Sequence, residues 1–239
     1  MWEKLNQSMS KYKNILKLFL QFVIIVAGVS SSFLVEEYRE GLQNQEERLK
    51  VLNNLKIELD EIDSYCKERK IAFKKDSDII AHLISNDNHS FDSIKNLVET
   101  QFQMEVAIVD YRGFKPPMNR YNSIINEGTL KFVKSDSIKQ LLSHLHNTIS
   151  MYLQANVDDE KIIQQKISLY MNDNYPEIIM LENISPENYY NTLKKKINSD
   201  LNLKAYLKTK GRIMFVKDFF LDRYVETVIK LRDEIEKKL

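Results

Sequence analysis

From Leu18 to Val35 the chain runs LFLQFVIIVAGVSSSFLV, eighteen residues without a charge. At about 1.5 Å per helical residue this stretch is roughly 27 Å long, close to the ~30 Å hydrocarbon core of a bilayer. Its strongly apolar side chains contribute about −5 kcal/mol on the insertion scale, and Gln21 and Ser30 to Ser32 subtract only part of that. A buried core helix of this length would carry a polar stripe, and none is present. A cleaved leader has an apolar stretch of roughly 7–15 residues; this one is longer, and a helical pattern continues past its end. The pattern predicts a transmembrane helix at 18–35.

Beyond it the apolar positions become heptad-like. Leu42, Gln45, Leu49, Leu52, Leu59, Ile62, Cys66, Arg69 and Phe73 follow spacings of three and four with one step of seven, the seam of a helix burying one narrow face. Only Gly41 interrupts the pattern, so one long helix is expected from about Ile15 to Phe73. Asp76 to Ala107 divides into two shorter amphipathic pieces around a turn at SNDNHS, Ser85 to Ser90. Asp110 to Met118 (DYRGFKPPM) holds a glycine and two of the four prolines and is the strongest break in the chain.

A short helix capped by Gly128 follows. Ser135 or Asp136 then starts a long helix to about Asn172, with Ile138, Leu141, Leu145, Ile149, Tyr152, Ile163, Ile167 and Tyr170 on one face. Ser185 and Pro186 make a helix start, shorter helices fill the region to Leu207, and a last helix spans about Lys210 to Lys238. Its stripe is Ile213, Val216, Phe220, Tyr224, Val228, Leu231 and Ile235. The expected fold is all-α: an N-terminal transmembrane helix that continues into a long helix, then an antiparallel helical bundle. The domains are a short N-terminal segment at 1–17, the transmembrane helix at 18–35 and a soluble bundle at 36–239.

Composition agrees with this fold. Five glycines and four prolines in 239 residues leave few tight turns for a sheet. A formal charge of +1 gives no global field to attract nucleic acid. Cys66 is the only cysteine, which excludes an intrachain disulfide or a cysteine metal cluster. Lys4, Lys11, Lys13 and Lys17 precede the span, whereas Arg39, Arg48 and Lys50 follow it among five glutamates. This bias places the N-terminus in the cytoplasm and the bulk of the chain outside.

Candidate chemistry is sparse. His144 and His146 stand two apart, on opposite sides of a helix, and no HExxH, CxxC, Walker loop, Rossmann glycines or GxSxG elbow occurs. Neither cofactor nor metal is expected. Asp158, Asp159 and Glu160 are expected on a solvated face, and Lys194 to Lys196 on the surface. Cys66 on the seam fits a small buried hydrophobe. Tyr121, Tyr189 and Tyr190 fit core packing with a polar tip. Two features point to interaction. Ala27, Gly28, Ser31 and Ser32 carry small residues at four-residue spacing, which lets membrane helices approach closely. The loop charges Asp110, Arg112, Lys115 and Arg120 form a possible interaction surface.

Glu36 to Leu59 (EEYREGLQNQEERLKVLNNLKIEL) after the span, together with Phe114 to Leu145, resembles a family of bacterial single-pass membrane proteins of Bacteroidetes type. Members carry a glutamate-arginine juxtamembrane helix and a Tyr-x-x-Leu-x-x-x-Gly-x-Leu box. Tyr121, Ile124, Gly128 and Leu130 occupy that box, with Ile replacing Leu, and Tyr38 stands where many members have Trp. The resemblance covers about the first two thirds of the chain. It implies a topology and a fold and little more, since the family has no established activity; the expected location is a bacterial inner membrane.

The first functional expectation is a noncatalytic binding, scaffold or sensor protein, with the lipid bilayer and an unknown protein as partners. The alternative is an oligomeric membrane effector or pore, as in bacterial defence, in which copies associate through the membrane helix. A third expectation is an enzyme with a site near 110–120.

Overall fold

The computed structural model describes residues 2–85, 91–182 and 184–239, the side chains of 2–16 and 18 excepted. Residues 86–90 of the expected turn at Ser85 to Ser90, with His89, lie outside the described residues. Among the described residues there is no strand.

Helix α1, Trp2–Ile84, is uninterrupted. It begins earlier and ends later than the heptad pattern predicts, and the N-terminal segment at 2–17 is part of it. Residues 19–46 are all exposed, and burial starts in earnest at Val51 and Leu52. The expected seam is therefore covered over only part of its length. Leu52, Leu59, Ile62, Cys66 and Phe73 are buried, as is Leu55 beside the seam; Leu49 and Arg69 are half-buried, and Leu42 and Gln45 are open.

Three further arms complete the bundle with α1, two of them packed directly on it. The first is broken: α2, Gln101–Val109, an extended stretch at 110–118, α3, Asn119–Asn126, and a 3-10 turn at Thr129–Phe132. Its contacts with α1 descend steadily, from Arg112 on Asp76 to Lys115 on Tyr65 and Arg120 on Glu58. Gly128 adopts φ 67° as the helix stop, a conformation that costs little only without a Cβ.

The second arm rises through α4, Asp136–Ser143, a π-helical segment at His144–Ile149 and α5, Ser150–Asn174. Ser135 caps it, its hydroxyl accepting from the Ile138 amide. The π segment inserts a residue and shifts the stripe: Leu153 and Val157 are buried after it, and Tyr152, expected inside, is exposed. The short α6, Pro176–Ile179, and α7, Pro186–Ser199, lead to the last arm; Ser185 accepts from the Asn188 amide as the cap of α7.

The last arm, α8, Leu201–Glu236, descends beside α1 and α5. It starts nine residues before the expected Lys210, because Asp200 caps it by accepting from the Asn202 and Leu203 amides. Its buried line is Leu203, Leu207, Lys210, Met214, Lys217, Leu221, Tyr224, Val228, Leu231 and Ile235. Val216, expected on the stripe, is exposed, and Ile213 and Phe220 are half-buried. The result is an up-down-up-down bundle in which the arm following α1 is interrupted.

Candidate functional site

Two hydrophobic clusters fill the bundle. One holds Leu52 to Phe73 with Leu145, Leu153, Tyr224 and Leu231; the other holds Ile79 to Leu83 with Met104, Ile163, Ile167 and Met214. The layer between them is charged, and each arm supplies one member: Asp76 from α1, Arg112 from the broken arm, Glu160 from α5 and Lys217 from α8. Arg112 Nε donates to Asp76 at 2.7 Å, and Lys217 donates to Glu160. The Lys217 ammonium also lies 3.9 Å from the Phe73 ring centroid. Burial pushes its pKa down and Glu160 opposes that shift. Alternating signs on four arms fix their relative height, since sliding any arm would strand a buried charge.

The break between α2 and α3 accounts for the neighbouring Lys210. A helix end leaves carbonyls without intrahelical partners, and α2 ends inside the protein. Lys210 Nζ donates to the carbonyls of Ile108 at 2.9 Å and Asp110 at 2.6 Å, and Gln164 donates to that of Val109 at 2.5 Å. The cation also meets the negative end of the α2 dipole. Burial nevertheless lowers the Lys210 pKa to about 8. Of these buried cations only Arg112 reaches solvent, beside a cleft of about 320 Å³ lined by Lys75, Asp76, Thr100, Phe102, Gln103 and Arg112 among others.

Lower in the bundle the Tyr121 box is held by Glu58. This buried carboxylate accepts from the amides of Arg120 at 2.6 Å and Tyr121 at 3.1 Å, at the start of α3. Burial raises its pKa, and these two amides oppose the rise. Tyr121 stacks on His146 with ring centroids 3.9 Å apart. His146 is buried in the π segment with neither ring nitrogen bonded, and burial lowers its pKa to about 4.

The four loop charges do not converge. Asp110 bonds its neighbour's amide, on Tyr111; Lys115 is exposed; Arg112 and Arg120 face Asp76 and Glu61, well separated along α1. In the apolar stretch Ser31 and Ser32 donate to the carbonyls of Ala27 at 2.7 Å and Gly28 at 2.9 Å, so this face presents no free hydroxyl. α1 is a candidate membrane span by length and composition, and none of its apolar window is buried.

Two expectations are corrected. Glu160 lies inside while Asp158 and Asp159 remain exposed. Lys194 is not merely surface: its ammonium donates to the His82 carbonyl at 2.8 Å. Lys210 and Lys217 were not expected as site residues. The signal for them is positional, since both fall on the 3.6-residue line through Leu203, Leu207, Met214 and Leu221.

No family model matches this chain, and no curated protein or solved structure matches it.

Proposed function

We propose that this protein is a single-pass membrane-anchored helical module that binds a protein partner and carries movement of its membrane helix into the bundle. The supporting observation is the continuity of α1 from the exposed apolar stretch through the buried core. A rigid helix transmits tilt and rotation without a joint. The charged layer helps, because Asp76 on α1 is tied to the broken arm while Glu160 and Lys217 tie the two remaining arms together. The lysine bias before the span favours a cytoplasmic N-terminus in a bacterial inner membrane with the bundle outside. Exposed aromatic side chains at Phe102, Phe215 and Phe219 offer contact surface for a partner.

The test combines fractionation with photo-crosslinking. Full-length protein is expected to stay in membranes through an alkaline carbonate wash. A photo-reactive phenylalanine analogue at Phe102, Phe215 or Phe219 is expected to give one discrete protein adduct. Release by carbonate would end the anchored reading, and the absence of an adduct at all three aromatic positions would end the binding reading.

A further inference from the structure

A second apolar strip runs along α1 below the bundle. Tyr38, Leu42, Gln45 and Leu49 follow an alternation of four and three, the spacing of a coiled-coil face. Tyr38 and Leu42 are 71% and 52% exposed. With Leu34, Gly41 and Gln45 they border a shallow groove lined by α1 alone among the described residues. At 3.6 residues per turn, the mean direction of Tyr38, Leu42 and Gln45 lies about 90° around the helix from that of Leu52, Leu55, Leu59 and Ile62. The chain's own bundle therefore does not overhang this strip.

We propose that a second copy of this chain covers it, in a parallel two-stranded pairing of the α1 helices over residues 35–49. This rests on the anchored reading above. The bundle's lower edge is level with Arg48, which donates to the Lys238 carbonyl at 2.7 Å. Residues 36–46 thus lie between the apolar stretch and the bundle, a layer crossed by helices rising from the same membrane. Two copies anchored by the same end are parallel and at one height, so each residue of the strip meets its own counterpart. Gln45 suits that symmetry: a carboxamide carries both donor and acceptor, so two facing copies satisfy each other. A single polar residue on such a strip fixes register and strand number.

The charges are also disposed for it. Glu36, Glu37, Glu40 and Glu47 occupy outer positions of the repeat. At the flanking positions Arg39 comes opposite Leu34 of the second copy, and Glu46 opposite its Gly41, so no like charges meet. Carried back into the span, the same alternation passes through Val35, Ser31 and Gly28, in register with the small-residue face. Two heptads are marginal for a free peptide, but confinement to one membrane raises their effective concentration.

Disulfide trapping in native membranes at low expression tests this. Single cysteines are placed by Leu42→Cys and Gln45→Cys on the strip, and by Gln43→Cys and Asn44→Cys off it. The unmodified chain is the blank, since Cys66 is buried. On mild oxidation the strip positions should give about tenfold more product of twice the chain mass, because a disulfide needs Cα atoms within about 7 Å. Equal yields at all four positions, no product, or a product of another mass at Leu42→Cys and Gln45→Cys would overturn the pairing. A carbonate wash of the same membranes separates the two failures. Retained protein without the positional pattern refutes the pairing alone; released protein refutes the anchoring and the pairing with it.

Discussion

The ammonium of Lys217 and the carboxylate of Glu160 meet with 0% and 1% of their side chains exposed, so neither has water to replace the other. Removing one partner leaves a buried, uncompensated charge, which costs about 3–5 kcal/mol, whereas replacing both by apolar residues of similar size is often neutral or better. Lys217→Met alone is therefore expected to lower the urea midpoint strongly, and Lys217→Met with Glu160→Leu to recover most of it. A double variant as unstable as the sum of the single variants would show that the pair does not act as a unit.

His146 predicts a pH dependence with a definite sign. Burial holds its folded pKa near 4, against about 6.5 for a free imidazole. Between those values the unfolded chain binds the extra proton, so His146 leaves stability unchanged above about pH 6.5 and lowers it as pH falls to about 4. The full loss is about 3 kcal/mol. Other groups titrate in the same range, so the quantity to measure is the difference between the unmodified chain and His146→Phe, which preserves stacking on Tyr121. That difference should shift in favour of His146→Phe between pH 7 and pH 4; a constant difference would contradict the burial of a neutral ring.

Glu58 predicts a local effect. Its carboxylate takes the amides of Arg120 and Tyr121, bonds to a charged group worth about 1.5–3 kcal/mol. Glu58→Ala should speed hydrogen exchange at those two amides and through α3, while α4 and α8 stay protected. Uniform loss of protection along the chain would instead mark Glu58 as a general core residue.

Much of the fold is legible in the order of apolar residues, because long amphipathic helices repeat their signal over many turns. The helix boundaries at Gly128, Ser135 and Ser185 are legible for a different reason: each satisfies helix-end groups through a local contact. The charged layer is hidden. Glu160 follows two solvent-facing aspartates, and its burial depends on Lys217, 57 positions away. Lys210 stands on the apolar line of α8, but its partners are carbonyls left by the early end of α2, which no pattern within α8 reveals. The π segment hides the rest of the second arm's register, since one inserted residue exchanges Tyr152 for Leu153 on the inner face.

The bare length of α1 between Glu36 and Glu46 sets a distance as well as a surface. Eleven helical residues at about 1.5 Å each hold the bundle roughly 16 Å from the end of the apolar stretch. The Debye length at physiological ionic strength is about 8 Å, and the potential of charged headgroups decays on that scale. On the anchored reading the bundle therefore stands some two screening lengths clear of the lipid surface. What reaches its cleft and its exposed aromatic side chains is governed by the solution and by partners in it, largely independent of which lipids lie beneath.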